Sequence, residues 1–254
     1  MCYDINTSTQ TQALRAFRKF GLSAVNEIRE NLEEFTDLPL FHTSGFSHPE
    51  LLIYTDRSPD FPEVATWGLI PHWINDEEQM KKIWNNTLNA RGETIFVKPS
   101  FRESAINNRC LIYINGFYEH HHFNKKTYPF FIQRKDEKPI VLGGLWSEWK
   151  NPVTNGTIIS FSIVTTEGNP LITKIHNNPK LKGPRMPLIL NEELEDEWLN
   201  PIQDELDKKS IKKLIQSFPE EELKFHTVRK LRGKEYIGNV KEIFQEYVYE
   251  DLEF

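Results

Sequence analysis

A chain of 254 residues, 38 % hydrophobic and 27 % charged, is long enough to bury a sizeable core and too apolar to be disordered. Its net charge of −6 argues against a generic nucleic-acid binder, and no run approaches the roughly 20 apolar residues needed to cross a bilayer. Two cysteines, Cys2 and Cys110, exclude a disulfide framework, and without a signal-peptide pattern a cytoplasmic protein is expected.

Ala13, Leu14, Phe17 and Phe20 recur at helical spacing and predict a helix over 9–20, with Val25 and Ile28 extending the pattern past Gly21. A proline-containing stretch, 38–62, leads into a strand-rich middle. Strands are predicted over 51–55, 64–69, 110–117, 128–134, 139–146, 157–166 and 187–190, separated by turn residues such as Asn155-Gly156. Cys110 falls inside one of them and reads as packing. A short helix over 168–175, helices over 192–200 and 204–218, and a late strand over 223–228 complete the pattern. Many short strands with few long helices predict one α+β domain, residues 2–254. Its centre is a strongly curved, barrel-like, mostly antiparallel sheet flanked by helices.

Charge is unevenly spread. Residues 191–254 carry 10 Lys/Arg and 17 Asp/Glu, an acidic region read as a solvated surface. Residues 79–135 hold ten basic residues against Glu93, Glu103 and Glu119 alone. Such a segment either steers a polyanion or forms an ordinary charged face.

Cys2 has chemistry that no interior cysteine shares, provided Met1 is removed, as the small cysteine side chain permits. The chain would then start with an α-amine (pKa about 7.7–8.0) beside a thiol (pKa about 8.5). An amine and a thiol on adjacent carbons condense with one aldehyde to close a five-membered thiazolidine. By position alone, Cys2 is equally an incidental residue on a frayed terminus. Three further clusters stand out: Asn89-Ala90-Arg91-Gly92-Glu93-Thr94, Asn115-Gly116-Phe117-Tyr118-Glu119, and His176 followed by Arg185-Met186-Pro187. Each is weak alone, because titratable residues far outnumber catalytic ones.

Taken with Met1-Cys2 and Trp67-Gly68-Leu69-Ile70-Pro71, these pieces resemble the SRAP (SOS response-associated peptidase-like) family. Its members shield abasic sites in single-stranded DNA by crosslinking to them. The resemblance runs from residue 2 to about residue 200, leaving 201–254 as C-terminal acidic helices and a late strand. It implies that the Cys2 amine attacks the open-chain aldehyde of an abasic sugar and that the thiol closes the ring, with lyase-like Schiff-base steps.

Glu119 corresponds to the family's glutamate, placed to move protons at the amine, and His176 to its histidine, suited to protonate the sugar oxygen during ring opening. Asn89 would orient Cys2. Arg91 and Arg185 are candidates for phosphate contacts, with Thr165 as a weaker one. Trp67 and Trp73 are candidates to flank a base, although packing is the commoner fate of tryptophan. The partner implied is single-stranded DNA containing abasic sites, bound by a monomer without cofactor or metal.

Three departures from the family pattern stand out. Many members begin Met-Cys-Gly-Arg, whereas this chain reads Met1-Cys2-Tyr3-Asp4, losing a cation and gaining a carboxylate that would repel DNA unless paired. His120 stands where a tryptophan often follows the glutamate, and His120-His121-His122 reads as a polar turn rather than a metal site. Residues 177–184 separate His176 from Arg185-Met186-Pro187. Two other classes compete: an N-terminal-nucleophile thiol hydrolase or peptidase, including an autoproteolytic one, and a non-covalent nucleic-acid module in which Cys2 is incidental.

Overall fold

Six consecutive residues, Arg109–Ile114, are buried without exception, so this strand must lie between two layers. The computed structural model describes residues 2–180 and 183–254. In chain order, β1 (Asp4–Thr7) leads through α1 (Thr9–Gln12), α2 (Leu14–Phe20) and α3 (Leu22–Leu32) into β2 (Leu40–Ser44), β3 (Glu50–Thr55) and β4 (Glu63–Trp67). Helix α4 (Glu77–Ile83) precedes β5 (Asn89–Arg91). Helix α5 (Arg102–Asn107) precedes β6 (Arg109–Ile114), β7 (Gly116–Phe123), β8 (Lys126–Arg134), β9 (Ile140–Lys150) and β10 (Thr157–Glu167). There follow α6 (Pro170–Ile175), β11 (Arg185–Pro187), β12 (Ile189–Leu190), α7 (Glu195–Leu199), α8 (Glu205–Leu214) and β13 (Leu223–Thr227).

Strands β10, β4, β3, β6 and β9 pair in that order, and β9 pairs back with β10, closing a barrel. Among the described residues, only the pairings of β10 with β4 and with β5 are parallel. Beside the barrel lies a second, antiparallel sheet in the order β13-β8-β7-β1-β2. Alternate residues of the barrel strands serve two cores. One set, including Leu51, Ile53, Ile112 and Phe161, meets Ile5, Phe117 and Ile132 of the second sheet. The other set, including Leu52, Tyr54, Leu111 and Tyr113, meets Ala13, Val25 and Ile28 of the N-terminal helices and Trp198 of α7. The predicted α+β barrel-like architecture is the one observed.

Some elements differ from expectation. The run predicted as one strand over 110–117 is two, β6 and β7, which turn at Asn115 and belong to different sheets. Gly116 is required at that corner, since a Cβ there would lie 2.4 Å from the Phe131 ring and 2.6 Å from the Ile132 carbonyl. Residues 120–122 are not a turn. They continue β7, with His120 opposite Pro129 and His121 opposite Tyr128. Beyond residue 201 the described chain has one α-helix, α8, capped by Asp204 and Asp207 in a capping box, rather than several. Strand β13 then completes the second sheet.

Candidate functional site

Strand pairing decides where Cys2 lies. β1 runs antiparallel to β7, with Asp4 opposite Tyr118 and Ile5 opposite Phe117. One step further along this register brings Tyr3 level with Glu119. Cys2 is fully buried in the core shared by the two sheets. Its carbonyl accepts a 2.8 Å hydrogen bond from Asn89 Nδ2. Asn89 is delivered by β5, which takes over the edge of β10 where β4 leaves it, setting Asn89 beside Ile163 and Arg91 beside Thr165.

The end of β10 delivers the histidine as well. Asn169 accepts a bond from the Ile172 N–H and starts α6 with Pro170 in its first turn, so the helix forms directly after the strand. His176 caps the other end, its backbone N–H donating to the Ile172 carbonyl at 2.7 Å. The His176 Nδ1 lies 3.4 Å from Glu119 Oε2 and 3.4 Å from the Arg185 carbonyl. A carbonyl can only accept, so that bond puts the imidazole proton on Nδ1 and leaves Nε2 as an acceptor.

Burial sets the protonation states. It pushes the Cys2 thiol up, and the nearby Glu119 carboxylate pushes it further. Burial likewise raises Glu119 to about 7 and depresses His176 to about 4. At neutral pH the thiol is therefore protonated, the imidazole is neutral, and Glu119 is shared between its two forms. His176 thus departs from the ordinary titration that suited it to protonate the sugar oxygen, whereas Glu119 titrates near neutrality.

Two depressions meet at Tyr3. One, a cavity of about 450 Å³, is lined by Glu119, His120, His122, His176, Lys230 and Arg232, among others. The other, a groove of about 410 Å³, is lined by Asn85, Asn86, Asn89, Arg91 and Lys98. Tyr3 borders both, and its ring packs on that of Phe46 at 4.9 Å. Among the described residues no group of three or more His, Cys, Asp or Glu is placed to hold a metal ion. No helix among them is long and apolar enough to cross a membrane.

A family model for SOS response associated peptidase (SRAP) matches residues 1–234. The chain belongs to the SRAP family. It is 34 % identical over 205 residues to the abasic site processing protein YoqW of Bacillus subtilis, covering 79 % of this chain and 85 % of that one. It is 29 % identical over 192 residues to the abasic site processing protein HMCES of Xenopus tropicalis, covering 68 % of this chain and 54 % of that one. Among solved structures, a protein from Bacteroides thetaiotaomicron superposes with a TM-score of 0.81 at 32 % identity, covering 97 % of this chain and all of that one.

The structure of this SRAP chain brings Cys2, Asn89, Glu119 and His176 together, and it buries three of the expected DNA contacts. Trp67 is fully buried, donates to the Leu88 carbonyl and stacks on Phe161, so it cannot flank a base. Thr165 is fully buried, its hydroxyl spanning the Ala90 carbonyl and Arg185 Nε. The Arg185 guanidinium is buried and held by Glu93 at 2.8 Å and by the Thr165 carbonyl at 2.8 Å. Arg91 is exposed along the groove, and Trp73 is 41 % exposed near Pro99. Of residues 177–184, Leu181 and Lys182 lie outside the described residues.

Asp4 turns out to be paired. It is buried, accepting from Arg232 Nη2 at 2.8 and 3.0 Å and lying 3.1 Å from His42 Nε2. Burial alone would raise its carboxyl, but His42 and Arg232 outweigh that and hold it below its ordinary value. Lys230 and Arg232 were not singled out from the sequence. The one signal for Arg232 was Asp4 itself, a carboxylate close to a reactive terminus that required a cation.

Proposed function

We propose that the protein processes abasic sites in single-stranded DNA by a covalent bond to Cys2, freed by removal of Met1. Support comes chiefly from one observation: Asn89, Glu119 and His176, from separate elements, converge on a buried cysteine at position 2. The names of the relatives point the same way.

The abasic sugar interconverts between a ring hemiacetal and an open aldehyde. Opening the ring needs a proton delivered to the ring oxygen and the hemiacetal hydroxyl relieved of its own. Protonated Glu119 supplies the first, and His176 Nε2 takes the hydroxyl proton, which returns through Nδ1 to the Glu119 carboxylate 3.4 Å away. The neutral Cys2 amine then attacks the aldehyde carbon, and loss of one water gives an imine. The thiol adds across the C=N bond, its sulfur bonding to carbon while its proton passes to nitrogen. The product is a thiazolidine and the net loss is one water. A buried, protonated thiol suits this order, because the amine reacts first. Exposed Arg91 and Lys98 along the groove would hold the strand by its phosphates.

A single-stranded oligonucleotide with one abasic site, incubated with Met1-processed protein and resolved under denaturing conditions, tests this. Wild type should give a retarded, stable species and Cys2→Ser none beyond a borohydride-trapped imine. A stable adduct from Cys2→Ser would exclude the thiol's role. A thiol hydrolase would give no adduct with either protein.

A further inference from the structure

Arg232 does something that the barrel alone cannot. Its segment reaches the site from the C-terminal region and is pinned there. The Val228 N–H donates to the Pro129 carbonyl at 3.0 Å, and Val228 and Leu231 are buried against Tyr118, Phe131 and Ile243. Two cations of this segment line the cavity beside Glu119. Lys230 is already engaged: its ammonium donates to the Thr127 carbonyl and sits 4.7 Å and 4.8 Å from the Tyr128 and Tyr249 ring centroids. Arg232 is differently placed. Only its Nη2 serves Asp4, yet its side chain remains 59 % exposed while Asp4 is 4 % exposed. A guanidinium carries five N–H donors in a rigid fork, so anchoring one nitrogen leaves others to face the cavity.

We propose that Arg232 is a phosphate ligand for the DNA strand on the cavity side of Cys2, held in place by Asp4. This rests on the reading that single-stranded DNA crosses Cys2. Under it, the groove with Arg91 takes one flank of the lesion and the cavity with Arg232 the other. The Asp4–Arg232 pair then offsets the cation missing at position 4. The residue that replaces it is an anchor, and the charge comes from 228 positions further along the chain.

The test is non-covalent binding of a single-stranded oligonucleotide carrying a tetrahydrofuran abasic analogue, which has no aldehyde, measured by anisotropy over a range of salt. Removing one phosphate contact should lower the log K against log salt slope by about 0.7 and weaken binding by roughly three- to tenfold at low salt. Arg232→Ala should show this. Arg232→Gln, which keeps an N–H for Asp4 without the charge, should match it, and Arg232→Lys should restore the slope. Lys234→Ala, exposed on the same segment but outside the cavity lining, should leave both quantities unchanged. A lower melting temperature in Arg232→Ala with slope and affinity intact would mean that the pair only clips the tail, and would overturn the proposal. An equal loss from Lys234→Ala would overturn it too, as a general effect of tail charge. If wild type forms no adduct with true abasic DNA, the reading beneath the proposal fails instead.

Discussion

The two flanks of Tyr3 use charge in opposite ways. In the cavity Glu119 and His176 are buried, and with His120 they are displaced: Glu119 is raised to about 7, and His120 and His176 are depressed to about 4, in each case chiefly by desolvation. Along the groove Arg91 and Lys98 are exposed. Desolvation tunes groups that must exchange a proton near neutrality, whereas exposed cations attract a polyanion without a burial penalty. Under the proposed function, the contrast would put chemistry on one side of Cys2 and strand recognition on the other, with Arg232 bringing a recognition element to the chemical side.

The contrast is most exposed to Glu119→Gln. Loss of the proton carrier should slow adduct formation by about 10²-fold or more at pH 7. The wild-type rate should fall as pH rises through about 7, where the carboxyl gives up its proton, and the variant should lack that limb. Stability should respond in the same sense. A carboxyl whose folded pKa is raised favours the native state while protonated. That contribution is complete below its ordinary value and is lost as pH rises through about 7. Thermal melts from acid to neutral pH should therefore show the wild type losing ground to Glu119→Gln. A flat difference between the two would remove the case for a desolvated acid.

Asn89→Ala lies at the boundary between the flanks. It deletes the bond to the Cys2 carbonyl, worth about 1 kcal/mol, and should slow crosslinking by roughly fivefold while leaving affinity for unreactive DNA unchanged. Equal losses in rate and affinity would make Asn89 a recognition residue instead. Arg91→Ala should have the smallest effect and the reverse profile. It should weaken binding a few-fold with a slope change of about 0.7, and the rate at saturating DNA should be intact.

Much of this was legible in the sequence because the informative residues sit at element ends. Glu119 and His176 lie near a β corner and at a helix cap, where a polar residue among apolar neighbours stands out. Strands β6, β8, β9 and β10 are long enough for their apolar runs to be read. Strand β1 was not, since Asp4-Ile5-Asn6-Thr7 has one apolar residue in four and is buried by two neighbours far away in sequence. Arg185 looked like a free cation because its partner Glu93 is 92 residues away. The burial of Trp67 and Thr165 was hidden for the same reason: exposure is set by non-local packing that a local motif does not encode.

The central claim is that a terminal aminothiol joins the opened sugar, and intact mass spectrometry tests it most directly. After incubation with an abasic single-stranded oligonucleotide, the predicted species weighs the sum of Met1-processed protein and DNA minus one water. Protein that keeps its own mass throughout, with every residue of the site in place, contradicts it.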